Sequence, residues 1–335
     1  MFDPNRKVRC QKLRGEKSEG FWTPLASLTF TEADLSKLRE GDSFDKINGV
    51  NICNKFISKA SRTPGQGGKD RHRIKRKAEG FMMPKHVKTN QLKYVLNDIK
   101  EGEHLIITHK IHGTSQRVGL SYEERKLPWY EKVLKYLGIA IQDREWNFMI
   151  GTRNIIVRED HSYNWHPKTF REKAADPFRN KLRPGEAVYY EVCGFDGPDH
   201  TIMPAHTTDK LDKKLRKQFP NPTQYTYGCP NGSFDIYVYR ITYSTWGREQ
   251  IDLSWEEVKL RCNELGVKHV PELENFVYDG NPETLTNKIE PYMDIPDPID
   301  PRHILEGCVI RVEGLKPQFY KEKAFGFKLM EGIAQ

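Results

Sequence analysis

Lys110-Ile111-His112-Gly113-Thr114-Ser115 is the stretch on which the fold turns. It follows an apolar run of β character, His104-Leu105-Ile106-Ile107-Thr108-His109. A lysine at that junction stands at a strand end beside a tight turn, where glycine lets backbone approach a phosphate closely. The setting suits a covalent lysine nucleophile. Taken alone, the pattern Lys-x-x-Gly more often marks a solvated strand-end lysine.

Later segments answer it in order. Val188-Tyr189-Tyr190-Glu191-Val192-Cys193-Gly194-Phe195 sets a carboxylate inside an apolar strand, and Glu306-Gly307-Cys308-Val309-Ile310-Arg311 does so again. Lys321-Glu322-Lys323 and Phe325-Gly326-Phe327-Lys328 follow near the end of the chain. The ordered series resembles the covalent nucleotidyltransferase superfamily, which holds ATP-dependent DNA and RNA ligases and mRNA capping enzymes. In that likeness Lys110 opens motif I, Thr152-Arg153-Asn154 is similar to motif Ia, and Glu191 belongs to motif III. Phe234-Asp235-Ile236-Tyr237-Val238-Tyr239-Arg240 resembles motif IIIa, Glu306 to Arg311 motif IV, and Lys321 with Lys323 motif V. The set runs from about residue 104 to 330.

RNA ligases are the closer match, in the branch typified by the Deinococcus and Naegleria enzymes. That resemblance rests on the histidine-bearing motif I and on His86-Val87-Lys88-Thr89-Asn90-Gln91-Leu92. It also rests on Ser254-Trp255-Glu256-Glu257-Val258-Lys259-Leu260-Arg261, continuing to Gly266 and Pro271. One position departs: relatives often carry glutamate just before the lysine, where this chain has His109. That leaves the adenine contacts there open.

The resemblance implies an α+β fold: a nucleotidyltransferase (ATP-grasp-like ligase) domain of antiparallel sheets with flanking helices over residues 86–335. Residues 1–85 would form a small, incomplete OB-like β module with a basic linker. Lys110 would attack ATP, forming lysine-AMP. His112, Gly113, Arg153, Glu191, Lys321 and Lys323 would bind the nucleotide, and Phe234 would stack on adenine. Glu306 and Glu191 would hold Mg²⁺ (or Mn²⁺). Arg71, Arg73, Lys75, Arg76 and Lys77 would grip nucleic acid. The implied reaction joins 3′-OH RNA to a 5′-phosphate through adenylylated RNA, at nicks in duplex RNA or RNA/DNA, by a monomer. The alternatives are a DNA ligase, a GTP-using capping-type enzyme, or a catalytically silent RNA-binding homologue. Capping enzymes carry a C-terminal OB domain, whereas this chain ends directly after motif V, an ending that also speaks against ordinary DNA ligases. Retention of Lys110, Glu191, Glu306, Lys321 and Lys323 together speaks against a silent homologue.

The residue types suit this chemistry. A lysine must be neutral to attack phosphorus, and at pH 7 fewer than about one in a thousand free lysines is. Burial and nearby cations favour the neutral form, and Lys321, Lys323 and Arg153 are the candidates. A glutamate inside an apolar strand is costly unless paired. Glu191 and Glu306 therefore each need a partner, whether a ligand or a structural salt bridge.

Composition sets outer bounds. The 335 residues leave room for one large domain and a small one, and 37% hydrophobic content supplies a core. A net charge of +8 suits a polyanionic partner without requiring one. No long apolar run forms a membrane span, and the charged N-terminus lacks a signal-peptide core. Cys10, Cys53, Cys193, Cys229, Cys262 and Cys308 lie far apart with no Cys-x-x-Cys pair. That spacing speaks against a zinc knuckle and fits a reducing, intracellular compartment, expected to be cytoplasmic, with a nuclear place or a phage-encoded origin left open.

Local patterns fill in the rest. Phe21 and Trp22 suit small-core packing or base stacking. Residues 61–80 read as a Gly/Pro-rich basic linker, either disordered or a strap that orders on phosphates. Trp129, Tyr130, Val133, Leu134 and Leu137 have helical spacing, with Gly138 as the stop, and are expected in the core. Residues 208–219 form a basic amphipathic segment, and 254–266 a further helix. The proline-rich stretch 292–301 leads irregularly into the Glu306 strand.

Overall fold

The computed structural model describes residues 11–13, 16–18, 22–42, 44–52, 80–157, 168–246 and 249–334. Two antiparallel sheets dominate. The larger runs Gln250–Asp252, Phe234–Ser244, Glu186–Gly197, Thr114–Glu124, Arg144–Thr152, Ile156–Val157. His200–Thr201 and Lys268–His269 are added at its side. The smaller runs Glu272–Val277, His104–His109, Gly307–Val312, Gln318–Lys323, Asn90–Gln91, the last pair parallel. Central strands are apolar on both faces because both faces are covered: Val188, Tyr189, Tyr190, Val192 and Cys193 are all buried. The expected α+β fold of antiparallel sheets with flanking helices is what forms.

The helix Trp255–Leu265 starts where the sequence says it should. Ser254 and Glu257 form a reciprocal capping box, and Gly266 ends the helix in the left-handed conformation. Its buried Arg261 grips Glu186 of the large sheet with two bonds, of 2.7 and 2.9 Å.

The chain passes from the small sheet to the large one through Lys110–Gly113. Two glycines make this crossing possible. A Cβ on Gly113 would sit 2.6 Å from the Val192 carbonyl oxygen. One on Gly307, whose φ is +138°, would sit 2.1 Å from the Glu322 carbonyl oxygen. Neither position has room for a side chain, so close backbone contact between strands explains both.

Three expectations change. The helix Trp129–Tyr136 forms as its spacing indicates, but it buries none of its residues: Trp129 is 78% and Tyr136 90% exposed. Periodicity reports one apolar face, not what covers it. Residues 80–85, expected with the N-terminal module, lie on the large sheet. Met82 and Met83 are buried there, and the Pro84 carbonyl accepts bonds from Arg117 Nη1 and Tyr189 OH. In the N-terminal region, the described strands are two separate short pairs, Gln11–Leu13 with Glu16–Ser18 and Lys46–Ile47 with Val50–Asn51. No barrel closes among the described residues. Trp22 is 97% exposed and so is not core packing. Phe21 and the basic run with Arg71, Arg73, Lys75, Arg76 and Lys77 lie outside the described residues. Among the described residues no helix is long and apolar enough to cross a membrane.

Candidate active site

Lys110 leaves the centre of the small sheet with its backbone N–H donating to the Gly307 carbonyl. Its Nζ lies 2.8 Å from Glu306 Oε1. Lys323 Nζ reaches the same oxygen at 3.0 Å, because the register sets Gly307 opposite Lys323. Lys323 also pairs with Glu331 at 2.7 Å. His112 Nδ1 stands 3.4 Å from Glu306 Oε2. Burial alone would raise the Glu306 carboxyl, but Lys110 and Lys323 hold it well below the usual carboxylate range.

A cleft opens between the sheets. Lys110, Thr108, Val309 and Lys321 line it from one side; Ser115, Glu191, Tyr239 and Arg153 line it from the other. Burial, with Glu306 adding to it against the pull of Lys110, raises the Glu191 carboxyl to about 7. Burial, then the charges of Lys110, Lys323 and Arg153, lowers Lys321 to about 8. Lys321, Lys323 and Arg153 thus stand close enough to Lys110 for their charges to act on one another.

The sequence-expected residues divide here. Lys110, Arg153, Glu191 and Lys321 line the cleft, and Glu306 and Lys323 join them through the Lys110 ion pair. His112 and Gly113 do not line it. His112 is buried against Tyr225 and Phe327, with ring centroids 4.6 and 4.9 Å away, and touches the site only through Glu306. Phe234 also lies outside the cleft and packs edge-on against Phe170, centroids 5.5 Å apart. His109 pairs with Asp297 at 2.9 Å, both side chains fully buried.

Tyr239 is the aromatic of the Phe234–Ser244 strand that lines the cleft, and a β-bulge brings Arg240 to the same side. Tyr189 pairs with Arg240 and Tyr190 with Val238, so Tyr239 is an extra residue opposite the pair. On a regular strand Tyr239 and Arg240 would face opposite sides. Here both line the cleft. Ser115 Oγ holds the Tyr239 hydroxyl at 2.9 Å. Strand alternation from Phe234 already places Tyr239 on the opposite face, and that signal was available in the sequence.

The carboxylates fit a divalent cation. Glu191 Oε2 is buried with no hydrogen-bond partner among the described residues, and Glu306 Oε2 has only its long contact to His112. Among the described residues no cluster of three or more His, Cys, Asp or Glu side chains forms a complete protein cage. Magnesium does not need one: one or two carboxylates suffice when phosphate oxygens and water complete the shell.

Fold and cleft together define a nucleotidyltransferase-type site of two sheets with a lysine between them. The RNA ligase family model matches residues 103–329, and the chain belongs to that family. The structure is similar to that of Naegleria gruberi RNA ligase with pyrophosphate, at 18% identity and TM-score 0.53, covering 96% of this chain and 76% of that one. A variant of the same enzyme with ATP and Mn is 17% identical with TM-score 0.52, covering 97% and 77%. No curated protein matches the chain in sequence.

The raised Glu191 carboxyl has a measurable consequence. The folded state holds a proton there, up to about pH 7, that the unfolded chain releases near its ordinary value of 4.5. Stability therefore falls as pH rises through that window, and the penalty is complete above it. In EDTA, Glu191→Gln is expected to stabilise the protein at pH 8 by on the order of 1–2 kcal/mol, with no gain at pH 4. Thermal melts at the two pH values check this; an advantage that persists at pH 4 contradicts it.

Proposed function

We propose that this protein is an ATP-dependent RNA ligase of the Deinococcus and Naegleria branch, sealing 3′-OH RNA to 5′-phosphate ends at nicks in duplexes. The observation that carries the reading is Lys110 Nζ at 2.8 Å from Glu306, in a cleft lined by Arg153, Lys321 and Glu191. Attack needs the free amine, so the Lys110–Glu306 pair opens and Nζ gives a proton to solvent water in the open cleft. The Nζ–phosphorus bond to the α-phosphate forms as the bond to the bridging oxygen breaks, and pyrophosphate leaves. Arg153, Lys321 and Lys323 offset the charge that gathers on the phosphate oxygens. Glu306 and Glu191 would hold the divalent cation, Mg²⁺ or Mn²⁺, which neutralises phosphate charge when bound. The ATP and Mn present with the Naegleria enzyme support this choice of cofactors. Tyr239 takes over the stacking expected of Phe234. AMP then passes to the RNA 5′-phosphate, and the 3′-OH displaces it.

Residues 1–79 supply phosphate contacts through their basic run in this reading. Four nicked duplexes, differing only in the sugar on each side of the break, test the function with ATP and Mg²⁺. Ribose on the 3′-OH side is expected to be required, because 2′-OH groups and A-form shape mark RNA. Deoxynucleotides there should slow sealing about 10-fold or more, the worth of one or two lost hydrogen bonds. Affinity should also fall steeply with salt. Equal rates on an all-DNA nick, or sealing only of free single strands, reject the reading.

A further inference from the structure

Two arginines line the cleft but belong to no step described so far. Arg240 is 4% and Arg311 2% exposed. Each is neutralised by its own carboxylate in the same side-on manner. Arg240 gives Nε and Nη2 to Asp252. Arg311 gives Nε and Nη2 to Glu313, at 2.9 and 3.1 Å. Both guanidinium groups approach one ring, Phe319, at 5.7 and 5.2 Å from its centroid. In each the remaining nitrogen, Nη1, is buried with no hydrogen-bond partner among the described residues. A buried donor left unmade costs about 1–3 kcal/mol, and folded proteins rarely keep two side by side without a ligand or water to take them.

Register fixes where these donors stand. Gly307 lies opposite Lys323, Val309 opposite Lys321, and Arg311 opposite Phe319. Arg311 is thus four residues along the strand from the Lys110 end, about 13 Å at the rise of a β-strand. On the facing sheet Arg240 lies opposite Tyr189, two residues along from Glu191. A nucleoside 5′-phosphate with its phosphorus at Lys110 would reach this far end with its base. The charges agree. Lys110, Lys321 and Arg153 form the cationic end suited to phosphates. The far end is neutral overall and offers N–H donors, which suits an uncharged ring with acceptor nitrogens.

We propose that Arg240 and Arg311 hold the purine base of the nucleotide, each donating from Nη1 to an acceptor nitrogen at the base edge. The assignment rests on the nucleotidyl-transfer reading above and adds the residues that choose the base.

The test removes acceptors from the ligand one at a time. Formation of the lysine-AMP adduct by the unaltered protein is followed against concentration for ATP and for its 1-deaza, 3-deaza and 7-deaza analogues. At least one analogue is expected to raise the half-saturating concentration about 10–100-fold, the loss of a hydrogen bond to a charged donor, with a smaller change in maximal rate. Arg240→Lys and Arg311→Lys keep a cation for Asp252 and Glu313. In one of them ATP should weaken by a similar factor, and that analogue's extra penalty should vanish. Three analogues used as well as ATP overturn the assignment, as does a penalty undiminished in both variants. In either case adduct formation from ATP leaves the ligase reading standing. No adduct from any nucleotide overturns both.

Discussion

Lys110→Ala is expected to abolish adduct formation, lowering it at least about 10³-fold, because no other group in the cleft replaces a covalent nucleophile. The geometry makes the choice of lysine specific. Lys323 shares Glu306 Oε1 with Lys110 but is also tied to Glu331 at 2.7 Å. Lys321 is half-buried in the strand wall, and burial first, then the cations beside it, lowers its value. Of the three lysines, Lys110 is the one at the sheet crossing, anchored through its backbone to Gly307 and ion-paired, among the described residues, to Glu306 alone. The substitution should leave the fold intact, since Glu306 keeps Lys323 at 3.0 Å. Labelled ATP with Mg²⁺, followed by denaturation and peptide mapping, reads the result. Label retained by Lys110→Ala at the unaltered level would transfer the nucleophile's role to another residue.

Much of this site was legible because its parts are strand ends and strand faces. Lys110, Glu191, Glu306, Lys321 and Lys323 each follow from an apolar strand interrupted by a charge, and the order of such interruptions is a sequence property. Two antiparallel sheets then bring together positions some 200 residues apart. Phe234 could not be placed correctly by motif position alone. Alternation along the strand separates Phe234 from Tyr239, while the bulge opposite Tyr189 and Tyr190 is what adds Arg240 to the cleft, and a bulge is set by pairing between strands rather than by local composition. The pairing of His109 with Asp297 was hidden for the same reason: its partner comes from the irregular proline-rich stretch, where no periodicity speaks. The helix Trp129–Tyr136 shows the converse. Its local pattern was clear and its helix formed, but burial depends on what other chain segments come to cover it, and none does among the described residues.

Glu306→Gln is expected to cost both activity and stability, with a pH dependence opposite in sign to that of Glu191→Gln. Glu306 is the shared anion for Lys110 at 2.8 Å and Lys323 at 3.0 Å, and its side chain is only 3% exposed. An amide keeps the shape but leaves two ammonium groups facing a neutral oxygen. Breaking a buried pair by removing one partner costs about 3–5 kcal/mol. Here Lys323 retains Glu331, and Lys110 can turn into the open cleft, so a loss of about 1–3 kcal/mol is the reasonable scale. The carboxyl is held below its ordinary value in the folded state. Its contribution is therefore fully present above the unfolded value of 4.5 and disappears as pH falls through the lowered folded value. Melts in EDTA should show the deficit at pH 8 and a smaller one at pH 3. Adduct formation should fall about 10²–10³-fold, the usual scale for removing one charged group that stabilises a transition state. A variant that melts like the parent at pH 8 would show that the Lys110–Glu306–Lys323 cluster does not stabilise the fold. Unchanged adduct formation would remove Glu306 from the chemistry, and with it the cation site it would share with Glu191.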